Sequence, residues 1–321
     1  MKLLSRLTDF SNFLNGSVAT IGNFDGIHLG HQALLKNLRL EADRLQLPMI
    51  VILFEPQPAE FFRPAQAPPR LTSLREKLTL LKHCKVDYVY CLNFDYELAL
   101  MSAENFAEKY FFSLLTCRYL LIGQDFRFGQ GRCGDVEFLK KLAAKANCRV
   151  ESFSDFSLLN KRVSSTQIRT ALEQGELEQA TQLLGRTYSI CGRVIKGDGR
   201  GRQWGIPTAN LAMRRLTLPL KGVFCVKVNR GEGKLLDGVA NLGSRPTVDG
   251  SKNTLEINLF DFDEDLYGRM VEVYFFHKLR DEIKFSSVEA LIVQIHEDIS
   301  AAKSEFRKRR FILTSLVETY N

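Results

Sequence analysis

The sequence predicts an α/β protein: a doubly wound parallel-sheet domain, then a small antiparallel β-barrel domain with a C-terminal helix. Three observations carry this. Apolar β-rich runs alternate with amphipathic helical runs over the first half of the chain, the rhythm that builds a parallel sheet. Past the "QATQLLG" segment, short β-rich runs broken by glycine and proline turns take over, which suits a small barrel. A chain of 321 residues is long for one domain and comfortable for two. The expected division is 1–185 and 186–321.

The elements follow in order. "SVATIG" reads as a strand and "HQALLKNLRLEADRL" as the helix after it. "PMIVILFEP" is a strand bounded by prolines. "SLREKLTLLKHC" opens on Ser73 with Glu76 three residues on, a capping box. "VDYVYCLNF", "AENFAEKYFFSLL", "RYLLIG", "DVEFLKKLAAKA" and "RVESFS" continue the alternation. In such sheets ligands bind outside the carboxyl ends of the strands. "GNFDG", "FEPQP" and "GQDFRFG" each follow a strand, so all three are expected to open on one sheet edge. "SSTQIRTALEQGELEQATQLLG" is helical. The barrel strands are "YSICGRVIKG", "GVFCVKVN", "DGVANLG", "TLEINLFDF" and "MVEVYFF". A last helix starts at "FSSVEALIVQIHEDISAA", with Ser286 and Glu289 as its capping box.

Composition narrows the class. Hydrophobic residues at 45% and charged residues at 25% are ordinary for a water-soluble globular chain. No apolar run approaches the roughly 20 residues that span a bilayer, and "MKLLSRLTDFSNFLNG" is too broken for a secretory signal. The expected setting is cytoplasmic, with no membrane partner. The seven cysteines are scattered without a CxxC, so free thiols are expected rather than zinc or disulfides. A net charge of +7 suits phosphorylated ligands or nucleic acid. Basic residues cluster only in "KSEFRKRR", which fits a solvated helix face better than an RNA patch.

Two segments are dense in chemistry. In "GNFDGIHLGH" (Gly22 to His31), His28 and His31 share a face at a helix start. A helix N-terminus offers free N–H groups and a positive dipole end, and Gly26 and Gly30 let an anion approach the backbone. Two imidazoles there could stabilise charge in phosphoryl or nucleotidyl transfer. A metal pair would need a third ligand that is not evident nearby; loop histidines without a role are the bland alternative. Downstream, "VSSTQIR" places Ser164, Ser165 and Thr166 at a helix start, with Gln167 completing a capping box and Arg169 in the first turns. That is either an ordinary N-cap or an anion site. Beside the histidines it reads as the second half of a triphosphate clamp.

In "GDGRGRQWGIPTANL", Gly197, Gly199 and Gly201 alternate with Asp198, Arg200 and Arg202. The backbone of such a loop could cradle phosphate, though the P-loop ending is missing and a surface turn fits as well. Thr208 and Asn210 stand two positions apart, on one face of an extended segment. A hydroxyl and an amide oxygen suit Mg²⁺, or a capped turn after Pro207. Glu256, between Leu255 and Ile257, reads as a general base for a hydroxyl or as a solvent-facing strand residue.

Taken together, "GNFDGIHLGH", "GQDFRFG" and "SSTQIR" resemble the nucleotidyltransferase half of bacterial bifunctional riboflavin kinase/FAD synthetases. "FEPQPAEFF" and "RLTSLREKL" fit that flavin branch rather than the wider HxGH superfamily of cytidylyl- and adenylyltransferases. "LLGRTYSICGRVIKGDGRGRQWGIPTANL", "NLGSRPTV", "LRDEIKF" and the last helix resemble the riboflavin kinase module of the same family, so the resemblance covers nearly the whole chain.

The resemblance implies two reactions: phosphorylation of riboflavin to FMN in the second domain and adenylylation of FMN to FAD in the first. It implies that His28 and His31 meet the ATP phosphates. Gly22, Asn23 and Asp25 would order the loop or the nucleotide and its metal, while Ser164, Ser165 and Arg169 hold the β- and γ-phosphates. Asp125 with Phe54, Pro56, Pro58 and Phe62 would line a flavin pocket. In the kinase module it implies Glu256 as base, Thr208 and Asn210 on Mg²⁺, and Gly197, Gly199, Arg200 and Arg202 over the phosphates. Arg280, Asp281 and Phe285 would lie on the flavin side.

The implied partners are riboflavin, FMN, FAD, ATP, ADP and pyrophosphate, with Mg²⁺ as cofactor and ATP as co-substrate; self-association stays open. Trp204, Ile206, Asn258 and Cys133 depart from the family pattern, and none of them removes a proposed catalytic group. An alternative is a nucleotidyltransferase with a different acceptor and a non-catalytic barrel; it predicts a degraded PTAN–Glu pair, yet Thr208, Asn210 and Glu256 are all present. A nucleic-acid-binding protein would cluster basic and aromatic residues on a barrel face, and the chain does not.

Overall fold

The computed structural model describes residues 1–4, 13–154, 156–158, 161–197, 199–213, 215, 217–247, 250–309 and 311–314. They form two compact units. The first takes Met1–Pro68 and Lys77–Val163; the second takes Pro69–Glu76 and the chain from Ser164 onward.

The first unit holds β1 (Lys2–Leu4), β2 (Ser17–Ile21), α1 (Leu29–Leu45), β3 (Met49–Glu55), α2 (Pro58–Phe62), all of α3 (Leu74–His83) beyond Glu76, β4 (Tyr88–Asn93) and α4 (Tyr96–Leu100). It continues with α5 (Ala103–Phe106, running on as the π-helix Ala107–Leu114), β5 (Cys117–Gly123), α6 (Val136–Lys145), β6 (Arg149–Phe153) and a small hairpin, β7 (Ser157–Leu158) with β8 (Lys161–Arg162). Six strands form one sheet in the order β1-β4-β3-β2-β5-β6, every pair parallel. All of β2 and the first five residues of β3 are buried, as expected of parallel strands covered on both faces. Helix α1 buries Leu34, Leu35, Leu38 and Ala42, one stripe at helical spacing.

The chain builds outward from β2 through β3 to β4, then returns to the other side of β2 as β5. The order therefore switches at β2, where such folds open a ligand crevice beyond the strands' carboxyl ends. "GNFDG" after β2, "FEPQP" after β3 and "GQDFRFG" after β5 all lie along that edge, as the alternation predicts.

The second unit holds α7 (Ser165–Gln174), α8 (Leu177–Leu184), β9 (Ser189–Ile195), α9 (Arg200–Gln203), β10 (Ala209–Ala212), β11 (Gly222–Asn229), β12 (Leu236–Thr247), β13 (Gly250–Leu259), β14 (Met270–Arg280) and α10 (Val288–Lys308). The strands close into an antiparallel barrel, β10-β13-β12-β11-β14-β9. Along β14, Val271, Val273 and Phe275 are buried and their neighbours are not, the period of two that fills a small barrel.

Two capping expectations are corrected. Ser164 caps α7 alone: the Gln167 side-chain oxygen is buried without a hydrogen-bond partner among the described residues, so the reciprocal half of that box is not made. The cap of α10 is Ser287, whose side chain accepts from the Ala290 amide at 3.2 Å. Ser286 and Ser287 are equal as acceptors, and the backbone decides between them: Ser287 takes the extended φ/ψ that an N-cap needs. Glu289 then falls one position short of the capping-box site.

Within the second unit, Glu76 and Arg215 form an ion pair whose side chains are 6% and 2% exposed. The Glu76 carboxylate also accepts from the amides of Cys191 at 2.7 Å and Ser73 at 2.6 Å, and Arg215 donates to the Tyr188 hydroxyl at 3.0 Å. Breaking a buried pair strands a charge. Arg215→Ala is expected to destabilise the full chain by about 3–5 kcal/mol, read from the urea midpoint. A loss below about 0.5 kcal/mol, the size of a surface change, would contradict it. Among the described residues no helix is long and apolar enough to cross a membrane.

Candidate functional site

In the first unit, the chain leaves β2 through a loop with positive φ at Phe24 (45°), Gly26 (84°) and Ile27 (42°). Left-handed backbone is costly for residues with a Cβ, so it persists only where the surroundings fix it. Two buried side chains contribute. Gln32 Nε2 donates to the Ile27 carbonyl at 2.8 Å, and Lys77 Nζ donates to the Asn23 carbonyl at 2.6 Å.

His28 is the N-cap of α1, and its Nδ1 accepts from the His31 amide at 3.3 Å. That bond requires an unprotonated Nδ1, so the neutral ring carries its hydrogen on Nε2. The His28 and His31 rings stack at 3.7 Å and 15°, and Phe24 packs on His31 at 4.9 Å. His31 Nδ1 is buried without a hydrogen-bond partner among the described residues. Burial, then the neighbouring His28 and Lys77, hold the His31 pKa well below the usual imidazole value. The ring is therefore neutral at neutral pH.

Gly30 has a different duty from the one its position suggests: a Cβ there would come within 3.2 Å of the His28 ring. The glycine makes room for the imidazole cap. Asp25 is buried and Asn23 exposed; Gly22 donates its amide to the Ile52 carbonyl at 3.1 Å.

Further along the same edge, Phe54 packs against Phe94 at 5.6 Å. Phe61 and Phe62 of α2 pack on Phe94 at 5.4 and 5.6 Å, and Phe61 on Tyr96 at 4.9 Å. Phe62 and Tyr96 remain 61% and 77% exposed, so this aromatic group presents a face to solvent. Pro56 and Pro58 flank the entry to α2. Sequence reading named Phe54 and Phe62 but missed Phe61, Phe94 and Tyr96. Asp125, in the turn after β5, pairs with Arg162 at 2.6 Å on the surface.

Ser164 caps α7, accepting from the Gln167 amide at 3.4 Å, and Ser165 is the first helical residue. Arg169 Nε donates to the Pro69 carbonyl at 2.6 Å. These three residues belong to the second unit, whereas His28 and His31 belong to the first.

In the barrel unit, two cavities of about 240 and 350 Å³ share Gly199, Gly201, Thr208 and Asn210. The smaller is walled by Trp204, Ile206, Phe285, Leu291 and Ile295, with Glu256, Arg280, Glu282 and Asp298 as its charged groups. The larger runs from Gly197 to the loop Phe262–Tyr267. The segment "PTAN" thus lies between the two cavities, the smaller holding Trp204 and Phe285 and the larger the acidic run Asp263, Glu264 and Asp265.

Asn210 stands opposite Glu256 in the β10–β13 ladder, and Asn241 stands opposite it in the β12–β13 ladder. The carboxylate sits between two amides. The glycine loop presses on this segment: a Cβ on Gly197 would meet the Asn210 amide, and one on Gly201 the Ile206 carbonyl, both at 2.4 Å. At Gly201 the obstacle is backbone and only glycine fits; at Gly197 a larger residue would displace the Asn210 side chain. Asn258 Nδ2 donates to the Pro207 carbonyl at 2.9 Å. Asp198 lies outside the described residues; the backbone of Arg200 and Arg202 forms α9.

Arg280 grips Asp298 through two bonds of 2.8 and 2.7 Å and lies 5.9 Å over the Phe285 ring. The Asp281 carboxylate is exposed, pairs with Lys278 at 2.6 Å, and does not line either cavity. Sequence reading missed Asp298, Leu291 and Ile295. Their spacing of i, i+4 and i+7 is the available signal: a carboxylate in register with an apolar helix face.

Sequence models of two families match this chain: FAD synthetase over residues 11–167 and riboflavin kinase over residues 184–306. The bifunctional riboflavin kinase/FMN adenylyltransferase of Haemophilus influenzae is 46% identical over 306 residues, covering 95% of this chain and 99% of that protein. The protein of the same name from Escherichia coli K12 is 45% identical, covering 95% and 98%. A crystal structure described as a macrolide-efflux protein from Streptococcus pneumoniae superimposes with a TM-score of 0.77 at 29% identity, covering 94% of this chain and 98% of that one.

Proposed function

The chain belongs to the bifunctional riboflavin kinase/FMN adenylyltransferase family, and from that premise we propose how its residues divide the two reactions. The functional boundary falls near Gly185. The barrel phosphorylates riboflavin and the parallel-sheet domain adenylylates FMN. The observation that carries the first assignment is the pair of cavities joined at Thr208 and Asn210, one of them holding Glu256.

The smaller cavity suits the flavin ring, stacked among Trp204, Ile206 and Phe285, with Arg280 placed by Asp298. The second cavity suits ATP, covered by the loop Gly197, Gly199, Arg200 and Arg202. Glu256 removes the proton from the riboflavin 5′-hydroxyl as that oxygen attacks the γ-phosphorus; FMN forms and ADP leaves. The Thr208 hydroxyl and the Asn210 amide oxygen are hard oxygen donors facing both cavities, a set that fits Mg²⁺ shared with phosphate oxygens. When bound, Mg²⁺ supplies charge neutralisation on those phosphates.

In the first domain, an FMN phosphate oxygen attacks the α-phosphorus of ATP and pyrophosphate leaves. His28 and His31, at the positive end of α1, stabilise the charge that develops there. Gly22, Asn23 and Asp25 shape the loop. The exposed aromatic face with Pro56, Pro58 and Asp125 receives the flavin. The cytoplasm is the fitting compartment for an ATP-dependent chain whose seven cysteines are all free, and no nucleic-acid or membrane partner enters this reading.

Asn210→Ala tests the metal assignment. FMN formation is expected to fall about 100-fold at fixed Mg²⁺ and to saturate at higher Mg²⁺ than in the wild type. FAD formation from supplied FMN stays unchanged. An unshifted Mg²⁺ dependence of FMN formation would remove Asn210 from the metal set.

A further inference from the structure

We propose that Lys77 is a positioning residue of the FAD-forming site: its buried ammonium fixes the conformation of the loop that carries His28 and His31. The proposal rests on the reading of the first domain as the FMN adenylyltransferase.

Lys77 is 1% exposed. Lysine is among the residues least often buried, because its charge loses hydration. A methionine of similar length would fill the space without that cost, so packing does not call for a lysine here. Its Nζ donates to the Asn23 carbonyl, 54 positions away in sequence, at 2.6 Å. Asn23 opens the stretch with positive φ at Phe24, Gly26 and Ile27. At the other end, the Ile27 carbonyl is held by the buried Gln32 amide at 2.8 Å.

Both carbonyls that bracket the left-handed stretch thus point at buried donors. A carbonyl oxygen turned toward a phosphate would repel it, whereas one bound to a buried ammonium cannot face the crevice. The same cation helps keep His31 neutral. One side chain therefore sets the loop's shape and biases the imidazole beside it.

The test uses the full chain and two rates from each preparation: FMN formed from riboflavin, and FAD formed from supplied FMN, both with ATP and Mg²⁺. Lys77→Met is expected to lower kcat of FAD formation at least about 100-fold, with KM for FMN within about threefold of wild type. FMN formation keeps its wild-type rate and reports a folded chain. Lys77→Gln, shorter and uncharged but polar, is the milder variant should the first not fold; its FAD formation is expected to fall at least about tenfold. Lys77→Arg, which keeps a cation, is expected to recover part of the loss.

FAD formation within about twofold of wild type in a folded Met or Gln variant would overturn the proposal. So would equal loss of both activities in both variants, which marks Lys77 as a residue of the fold alone. Absence of FAD formation by the wild type is a separate result: it overturns the adenylyltransferase reading and the proposal with it.

Discussion

Glu256→Ala is expected to abolish FMN formation while the protein still converts supplied FMN to FAD at the wild-type rate. The 5′-hydroxyl of riboflavin is a poor nucleophile until its proton has an acceptor in place. A positioned general base contributes about 10²–10⁴ in rate. Glu256 is the carboxylate of the β-ladder that faces the smaller cavity, between Asn210 and Asn241. Strand register places an amide side chain on either side of it. Alanine removes the acceptor and leaves the ladder intact, since alternate side chains of β13 point away from the barrel interior. Chromatographic separation of riboflavin, FMN and FAD reads the result. A loss of less than about tenfold in FMN formation would mean that the proton goes elsewhere.

His31→Ala is expected to do the reverse: FAD formation falls about 10²–10³-fold and FMN formation persists. Removing one preorganised donor from a charge-stabilising site typically costs that much. His31 carries a buried, unpartnered Nδ1, stacks on the capping His28 and stays neutral because burial and its neighbours disfavour the cation. A neutral ring keeps a hydrogen-bonding nitrogen at the helix entrance and holds the His28 stack together without charge repulsion. The same two chromatographic rates decide the matter. Loss of FMN formation in parallel with FAD formation would contradict the assignment of His31 to one reaction.

Much of this was legible in the sequence because local chemistry and long-range order agree there. The βαβ rhythm put "GNFDG", "FEPQP" and "GQDFRFG" after strands, and parallel pairing brings them to one edge. Thr208 and Asn210 share a strand face by simple alternation, and antiparallel register sets Asn210 against Glu256. What stayed hidden depends on tertiary packing. Nothing local marks Phe24 and Ile27 for left-handed backbone; the donors that help hold it, Lys77 and Gln32, sit on α3 and α1. Likewise, Glu76 reads as a helix cap, and its second duty as the partner of Arg215 needs residue 215 folded beside it. Asp298 lies on the last helix, and its pairing with Arg280 of β14 exists only once strand and helix pack. The aromatic face was half read because Phe94 follows β4 and Tyr96 opens α4, both outside "FEPQPAEFF".

If one chain runs two successive ATP-dependent steps at separate centres, the balance of small products shows it. Wild-type protein is supplied with riboflavin, ATP and Mg²⁺, and flavins, ADP and pyrophosphate are followed together. FMN is expected to rise before FAD, with one ADP for every riboflavin consumed and one pyrophosphate for every FAD formed. Pyrophosphate released without FAD, or FAD accumulating with no ADP, would contradict it.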